Sequence, residues 1–415
     1  MRLTALEIMI PRYRDSSQGR QKMMGNTQRK VYIVQGKRTP FGKFGGSLSG
    51  ITPVELAVIT SKALLDEVKV DPETIDQVLF ANVIPSTPDT FYAGRHLALK
   101  VGLKTESIGV VTNRLCGSGI QVMLDATRLI RCHEAEAILV AGAENLSMAP
   151  HLTYGARFGT KYGPLQSDDM LLSTLSDKHT GLPMGITAEN LAEEYKITRE
   201  EADAFALRSH EKANKAYAEG FIQGEIVPVE MKRVNCSKDE HLREKISIEE
   251  MNKLKATFKT NGTVTAASAS GIVDGACSML IVSEDYAKKH NLKPIAEIIS
   301  GEVIGVDPTK MGIGPVPAIK ILLEKNKLKL EDIDLFEINE AFASQVIACQ
   351  RALGLDETKL NIWGGAVALG HPLGATGVKI SLTLARQLQA LNKTYGISSA
   401  CIGGGQGIAV LVKKV

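Results

Sequence analysis

Cys116 sits in NRLCGSG, where the strand-like run SIGVVTN gives way to the helical pattern of GIQVMLDATRLIRC. Unpaired backbone N–H groups and the positive end of a helix dipole at such a junction would favour a thiolate. Gly117 and Gly119 would let another molecule approach the backbone closely. Cysteine is also among the residues most often buried, so a structural thiol is an equal reading of this stretch alone. His371 in GHPLGATG could act as a base or be an ordinary structural histidine. Cys401 in SACIGGGQG precedes three consecutive glycines, which a tight turn would explain without explaining the thiol. Asn339 in EINEAFA ends a strand-like run and could simply cap the next helix.

An internal duplication gives these residues a reason to meet. VDPETIDQVLFANV (Val70 to Val83) matches LKLEDIDLFEINEA (Leu328 to Ala341), each a polar turn, then Ile-Asp, then an apolar strand. Ile75 and Ile333 lie 258 residues apart, and so do Gly119 and Gly377 in CGSGIQV and GATGVKI. AILVAGAEN and GISSACIGGG repeat the match at nearly the same spacing. Three matches in one order and register mark two copies of an α/β unit, each alternating strands with covering helices. His371 then falls three residues before Gly374, the counterpart of Cys116. Two related turns packed about a pseudo-twofold axis would bring thiol and imidazole together.

The organisation expected is an extension at 1–30, a first unit at 31–145 plus 272–293, an inserted domain at 146–271, and a second unit at 294–415. The insert holds polar helices such as TREEADAFALRSHEKANKAYAEG and the small-residue run GTVTAASASG. With 415 residues, 44% of them hydrophobic, the chain can bury more than one core. Its 49 basic and 46 acidic residues argue against a nucleic-acid surface or a polybasic membrane patch. No apolar run approaches the roughly 20 residues of a membrane span. Six cysteines scattered through so long a chain point to a reducing compartment. The first thirty residues faintly resemble a transit peptide in their Arg and Ser content, with Glu7, Pro11 and Asp15 against it; translation starting at Met23 or Met24 is the other reading.

At these four stretches the sequence resembles the thiolase family, and the likeness runs through nearly the whole chain after residue 30. NRLCGSG, NEAFA, GGAVALGHPLGATG and CIGGGQG stand in the family's order, with KRTPFG, GAENLSMAPH and MGIGPVPA as further matches. ARFGTKYG and LPMGITAENLA are most like its mitochondrial-type branch. The resemblance implies an α/β fold of duplicated units forming a five-layer αβαβα core with an inserted loop domain. It implies reversible acyl transfer, by thiolytic cleavage of 3-ketoacyl-CoA or by Claisen condensation.

The resemblance also implies roles. Cys116 would attack the carbonyl and carry the acyl group, His371 would take its proton and help hold the enolate oxygen, and Cys401 would move the α-carbon proton. Asn339 would orient a water in that oxyanion hole, while the N–H groups of Cys116 and Gly403 would form the other. Arg243 and Ser270 would contact coenzyme A, and Met184 and Met311 would line the acyl pocket. The bland readings are a solvated charge for Arg243 and ordinary packing for Met184 and Met311. Ala256 and Ala267-Ser268 depart from the family pattern near that channel, which puts coenzyme A affinity and chain-length preference in question.

Acyl-CoA, acetyl-CoA and coenzyme A would be substrates, with no metal or redox cofactor, no nucleic acid and no membrane partner. The eight histidines form no HExxH pattern, and Cys132-His133 has no second ligand pair nearby. A homodimer or homotetramer is implied, the latter through a loop near RFGTKYGPLQSDD. The location would be cytoplasmic in a bacterium, or otherwise the mitochondrial matrix. The competing readings are a catalytically silent thiolase-like lipid or acyl-CoA binding protein, which should lack one catalytic group, and a ketosynthase-type enzyme, which would use two histidines. A dinucleotide-binding dehydrogenase is a remote reading, because CGSGIQ lacks the GxGxxG spacing.

Overall fold

The computed structural model describes residues 29–232 and 234–415. The transit-peptide and alternative-start readings concern residues that lie almost wholly outside these. Nine strands build the main sheet: β1 Val31–Arg38, β2 Gln77–Ala81, β3 Ile108–Thr112, β4 Ala137–Glu144, β5 Val273–Ser283, β6 Ala296–Gly305, β7 Leu335–Ile338, β8 Tyr395–Ile402 and β9 Gln406–Lys414. Gly42–Lys43 adds a short pairing on β5. The order is β7-β8-β9-β6-β1-β5-β4-β2-β3.

That order is the same series written twice. From β1 outward, the strands of the first unit run first, fifth, fourth, second, third, with two antiparallel pairings followed by two parallel ones. From β6 outward the second unit repeats this through β9, β8 and β7, and its last member is reduced to the parallel bridge Phe336–Leu360. The units join where Tyr32 pairs with Glu297 and Ile33 with Ala296. Each joining strand carries a register shift, at Val34 in β1 and at Ile299 in β6. Such bulges bend a strand and let one sheet turn back around its own core.

The helices that matter here are α1 Pro53–Val68, α2 Ala93–Val101, α3 Ser118–Arg131, α4 Met184–Glu194, α5 Arg199–Ala218, α6 Pro315–Asn326, α7 Ala343–Leu353 and α8 Leu373–Ala390. α3 and α8 pack on each other and touch strands of both units, so they form the middle layer. α8 is accordingly buried on almost its whole circumference. Three of its buried polar side chains bond across to other elements: Ser381 Oγ meets Ser398 Oγ at 2.7 Å, Gln387 donates to Glu337 at 2.8 Å, and Thr383 donates to Glu225 at 2.9 Å. Ile120, Met123, Val140, Val378, Leu382 and Val410 share the core between the two sheets. α1 and α2 cover one outer face, and α6 and α7 the other. The result is the αβαβα layering.

Residues 145–271 contribute no strand to this sheet. α5 begins at a capping box in which Thr198 and Glu201 satisfy each other's backbone N–H. The segment is tied to β1 by a fully buried guanidinium. Arg38 donates to Glu225 at 2.8 Å and bidentately to Asp239 at 2.7 and 2.9 Å, and Tyr217 donates to the same carboxylate at 2.6 Å. Removing one partner would strand a buried charge, a loss of about 3–5 kcal/mol.

Candidate active site

The turn that carries Cys116 is a short, heavily bonded loop between β3 and α3. Leu115 adopts φ +47°, strained for a branched side chain, immediately before Cys116. Three hydrogen bonds hold it: Leu115 N–H to Asn113 Oδ1 at 2.9 Å, Arg114 N–H to Ser118 Oγ at 2.7 Å, and Ser118 Oγ to Leu115 carbonyl at 2.7 Å. Cys116 is half-buried and packs with Val83, Ile84, Leu115 and Leu373, so the turn that follows His371 lies against it.

Burial pushes the Cys116 thiol up to about 11, and the nearby Glu144 adds to this, while the N–H groups of Gly403 and of Cys116 itself pull the other way. The helix-mouth donors are present, but loss of water outweighs them.

His371 is held at both ring nitrogens. Nδ1 lies 2.6 Å from Thr376 Oγ1, and Nε2 lies 3.3 Å from the Asn339 amide nitrogen. Thr376 donates its own proton to the Pro372 carbonyl at 3.1 Å, so its oxygen can accept from Nδ1–H. An amide nitrogen can only donate, which leaves Nε2 as the acceptor. Burial lowers the imidazole to about 4, so it is neutral at physiological pH and offers a lone pair at Nε2. Asn339 does not cap α7, whose N-terminal residue Phe342 has no side-chain cap. It turns instead toward the histidine, and its buried Oδ1 has no partner among the described residues.

Cys401 lies fully buried at the end of β8, opposite Gly407, among Ala188, Val264, Met311, Ala341 and Phe342. Burial raises its thiol well above the ordinary value, and the neighbouring Cys116 and Cys349 raise it further. The three glycines that follow have different reasons. Gly404 and Gly405 adopt φ +80° and +84°, as the hairpin turn requires, whereas Gly403 has no such constraint. A Cβ on Gly403 would lie 3.2 Å from Met184 Sδ and 3.3 Å from Leu115 Cδ1, so its missing side chain leaves space beside Cys116.

Leu115, Met184, Gly403 and Gly404 open onto a cleft of about 320 Å³ whose walls also include Val83, Asn113 and Met170. Met311 is buried in the cluster that holds Cys401, against which Met184 also packs. Ser270 N–H donates to the Ala341 carbonyl at 3.0 Å, and the carbonyl of the adjacent Gly271 accepts the His371 N–H at 2.9 Å. Gly271 has no room for a side chain because the His241 ring lies against it. Arg243, two residues on, is exposed, and its N–H donates to His210 Nδ1 at 3.3 Å. Thus Cys116, His371, Asn339, Cys401, Gly403, Met184 and Met311 converge, while Ser270 adjoins the Gly271 that bonds His371 and Arg243 lies exposed two residues beyond His241.

Sequence reasoning missed two residues here. Thr376 is one helical turn beyond His371 and reads as an ordinary helix residue. Glu144, fully buried in GAEN, accepts from Val83 N–H at 2.6 Å, Ile84 N–H at 3.3 Å, Asn82 Nδ2 at 3.2 Å and Gly374 N–H at 3.1 Å. It ties the start of α8 to the loop after β2, and burial raises it to about 8. Among the described residues no group of three or more His, Cys, Asp or Glu is arranged to hold a metal ion, and no helix is long and apolar enough to cross a membrane.

Two family models match the chain, the thiolase N-terminal domain over residues 31–285 and the thiolase C-terminal domain over residues 292–414. The human mitochondrial 3-ketoacyl-CoA thiolase is 46% identical over 391 residues, covering 93% of this chain and 98% of that one. A beta-ketothiolase of Cupriavidus necator is 41% identical, covering 93% of this chain and 100% of its own. The crystal structure of the human mitochondrial enzyme in complex with CoA superposes with a TM-score of 0.92, covering 94% of this chain and 98% of that one. The acetyl-CoA acetyltransferase of Syntrophomonas wolfei does so with a TM-score of 0.91 at 38% identity, covering 94% and 100%.

Proposed function

The chain belongs to the thiolase family, an acyltransferase working on coenzyme A thioesters, and from that premise we propose that Cys116 is its nucleophile and His371 and Cys401 its proton carriers. The observation that supports this most is the setting of His371, whose ring is held with Nδ1 on Thr376 Oγ1 and Nε2 toward the Asn339 amide.

In thiolysis, Cys116 Sγ attacks the 3-keto carbon as its proton passes to His371 Nε2. With the thiol at about 11 and the imidazole at about 4, that transfer is uphill in the resting site. It must be coupled to C–S bond formation, so that negative charge appears on the carbonyl oxygen and not on sulfur. The N–H groups of Cys116 and Gly403 meet that oxygen. The C2–C3 bond then breaks, and its electron pair moves onto the thioester oxygen as an enolate. The protonated His371 and a water held by Asn339 Oδ1 or its amide stabilise that oxygen. Cys401 gives its proton to the α-carbon and acetyl-CoA leaves. The thiol of coenzyme A passes its proton to the Cys401 thiolate and attacks the acyl-Cys116 carbonyl, releasing the shortened acyl-CoA and returning the Cys116 sulfur to its thiol with the proton from His371. Condensation is the reverse sequence. No step draws on a metal or redox cofactor.

Ser270 and Arg243 would receive the pantetheine arm and the nucleotide phosphates. A second copy of the chain is supported at β3, an edge strand whose Ile108 is 63% exposed beside exposed Phe91, Tyr92 and Val110. Phe158 and Tyr162, 91% and 98% exposed, would serve pairing of dimers. A mitochondrial location is supported by the name of the human relative, and we place the protein there in the matrix; the cytoplasm of a bacterium is the other reading.

The test is loss of 3-ketoacyl-CoA on adding coenzyme A alone, with acetoacetyl-CoA and a long-chain substrate compared. Cleavage of either is expected, and their ratio sets the chain-length class. A folded protein that binds coenzyme A and cleaves neither would be the silent binding protein instead.

A further inference from the structure

The hole that faces the attacked carbonyl is shared between the two copies of the duplicated unit. Cys116 N–H belongs to the turn before α3 in the first, and Gly403 N–H to the hairpin after β8 in the second. Gly403 N–H also reaches Cys116 Sγ. The bonds that shape each turn are internal to it. Asn113 and Ser118 fix the first, while Gly405 N–H donating to the Ile402 carbonyl at 3.2 Å and the Ile402–Gln406 pairing fix the second. None of these sets one turn relative to the other.

Besides the Gly403 N–H at Cys116 Sγ, one hydrogen bond between two side chains among the described residues does. Arg114 Nη1 donates to Gln406 Oε1 at 2.8 Å, two residues before Cys116 and three after Gly403. Gln406 is a rigid anchor. It pairs with Ile402 on one side and Gly305 on the other, and its main chain is pressed against Gly314, where a Cβ would lie 2.7 Å from the Gln406 carbonyl carbon. Arg114 belongs to the strained turn at Leu115. Both residues are half-buried, which shields their bond from water. The apolar packing nearby, Leu115 on Gly403 and Gly117 against Ile402, keeps the turns in contact but is not directional.

We propose that Arg114 and Gln406 are positioning residues that hold the Cys116 and Gly403 N–H groups at the spacing an oxyanion needs. The proposal rests on the assignment of that hole given above. Neither side chain touches the reacting atoms in this account. They act through the two turns, and a hole loosened by a fraction of an ångström loses much of its effect on the transition state while substrate still binds.

The test compares Arg114→Met, Gln406→Leu, the double variant and Gln406→Glu in full-length protein. For the two single variants, kcat for thiolysis should fall roughly ten- to a hundredfold, with KM for coenzyme A within about twofold. Alkylation of Cys116 by iodoacetamide, which forms no oxyanion, should stay within about threefold of wild type. The double variant should be no worse than the poorer single one, because both remove the same bond. Gln406→Glu keeps an acceptor at the same reach and should recover to within about threefold.

Undiminished kcat in either single variant would overturn the proposal. So would losses that multiply in the double variant, or alkylation falling in parallel with kcat, which would mean that the turn itself has collapsed. If Arg114→Met does not fold, Gln406→Leu and Gln406→Glu read the same bond from its rigid side. Wild-type protein with no thiolysis would defeat the functional reading itself and is seen before any variant is made.

Discussion

Gly119 and Gly377 meet main chain to main chain at the centre of the molecule. A Cβ on Gly119 would lie 2.5 Å from the Val378 nitrogen and 2.8 Å from Gly377 Cα. They are counterparts in the duplication, each near the start of one middle-layer helix, and their contact draws the Cys116 and His371 turns together. Because the obstructing atoms are backbone, Gly377→Ala must push the helices apart. We expect a loss of about 1–3 kcal/mol in urea unfolding, the usual cost of overpacking. Thiolysis should fall by more than stability does. Normal activity with normal stability would show that the helices can part without consequence.

The resting ionisation of Cys116 gives a second prediction. A thiol at about 11 is almost wholly protonated at pH 7, and its thiolate fraction grows tenfold per pH unit up to that value. Alkylation of Cys116 by iodoacetamide should therefore climb steadily from pH 7 to pH 10 without levelling. A plateau reached below pH 8 would mean a stabilised resting thiolate, and transfer from sulfur to His371 would no longer need to be coupled to attack.

The two thiols should separate by half-reaction. Cys401→Ala removes the proton carrier at the α-carbon but leaves Cys116, His371 and the Gly403 N–H in place. It should abolish hydrogen exchange at the acetyl-CoA methyl group, read by NMR in deuterium oxide, while Cys116 still gains an acyl group by mass spectrometry. Cys116→Ala should lose the acyl adduct. Exchange that continues undiminished in Cys401→Ala would move the α-proton role to another residue.

The duplication was legible because it is written in turn residues. Asp76 accepts from Glu136 and Ala137 N–H at 2.6 and 3.0 Å, and Asp334, 258 positions on, accepts from Thr394 and Tyr395 N–H at 2.9 and 3.0 Å. The Ile-Asp pairs that revealed the repeat are thus the same local device used twice. Strand neighbours were not legible, since apolar alternation marks a strand without naming its partner. Nor was the joining of the two units at Tyr32 and Glu297. Cys116 and His371 could be found from their glycine-rich turns. Thr376 and Glu144 could not, because their parts depend on what lies across the middle layer. The setting of Cys116 was only half legible for the same reason: a helix mouth is visible in sequence, but the depth at which it is buried is not.

Arg243 carries the fourth prediction and separates a binding residue from a solvated charge. It is exposed and forms no ion pair among the described residues, though its main chain is held by His210 and by Asn214, which donates to its carbonyl at 2.9 Å. A guanidinium left free on a fixed backbone suits a phosphate, which it can grip with two parallel hydrogen bonds. Arg243→Ala should raise KM for coenzyme A by about tenfold and leave kcat within about twofold, because a contact remote from the reacting carbon contributes equally to ground and transition states. The effect should shrink as salt screens the charge. With a pantetheine acceptor, which has no nucleotide phosphates, variant and wild type should behave alike. An equal KM for coenzyme A in both proteins would return Arg243 to the ordinary charged surface.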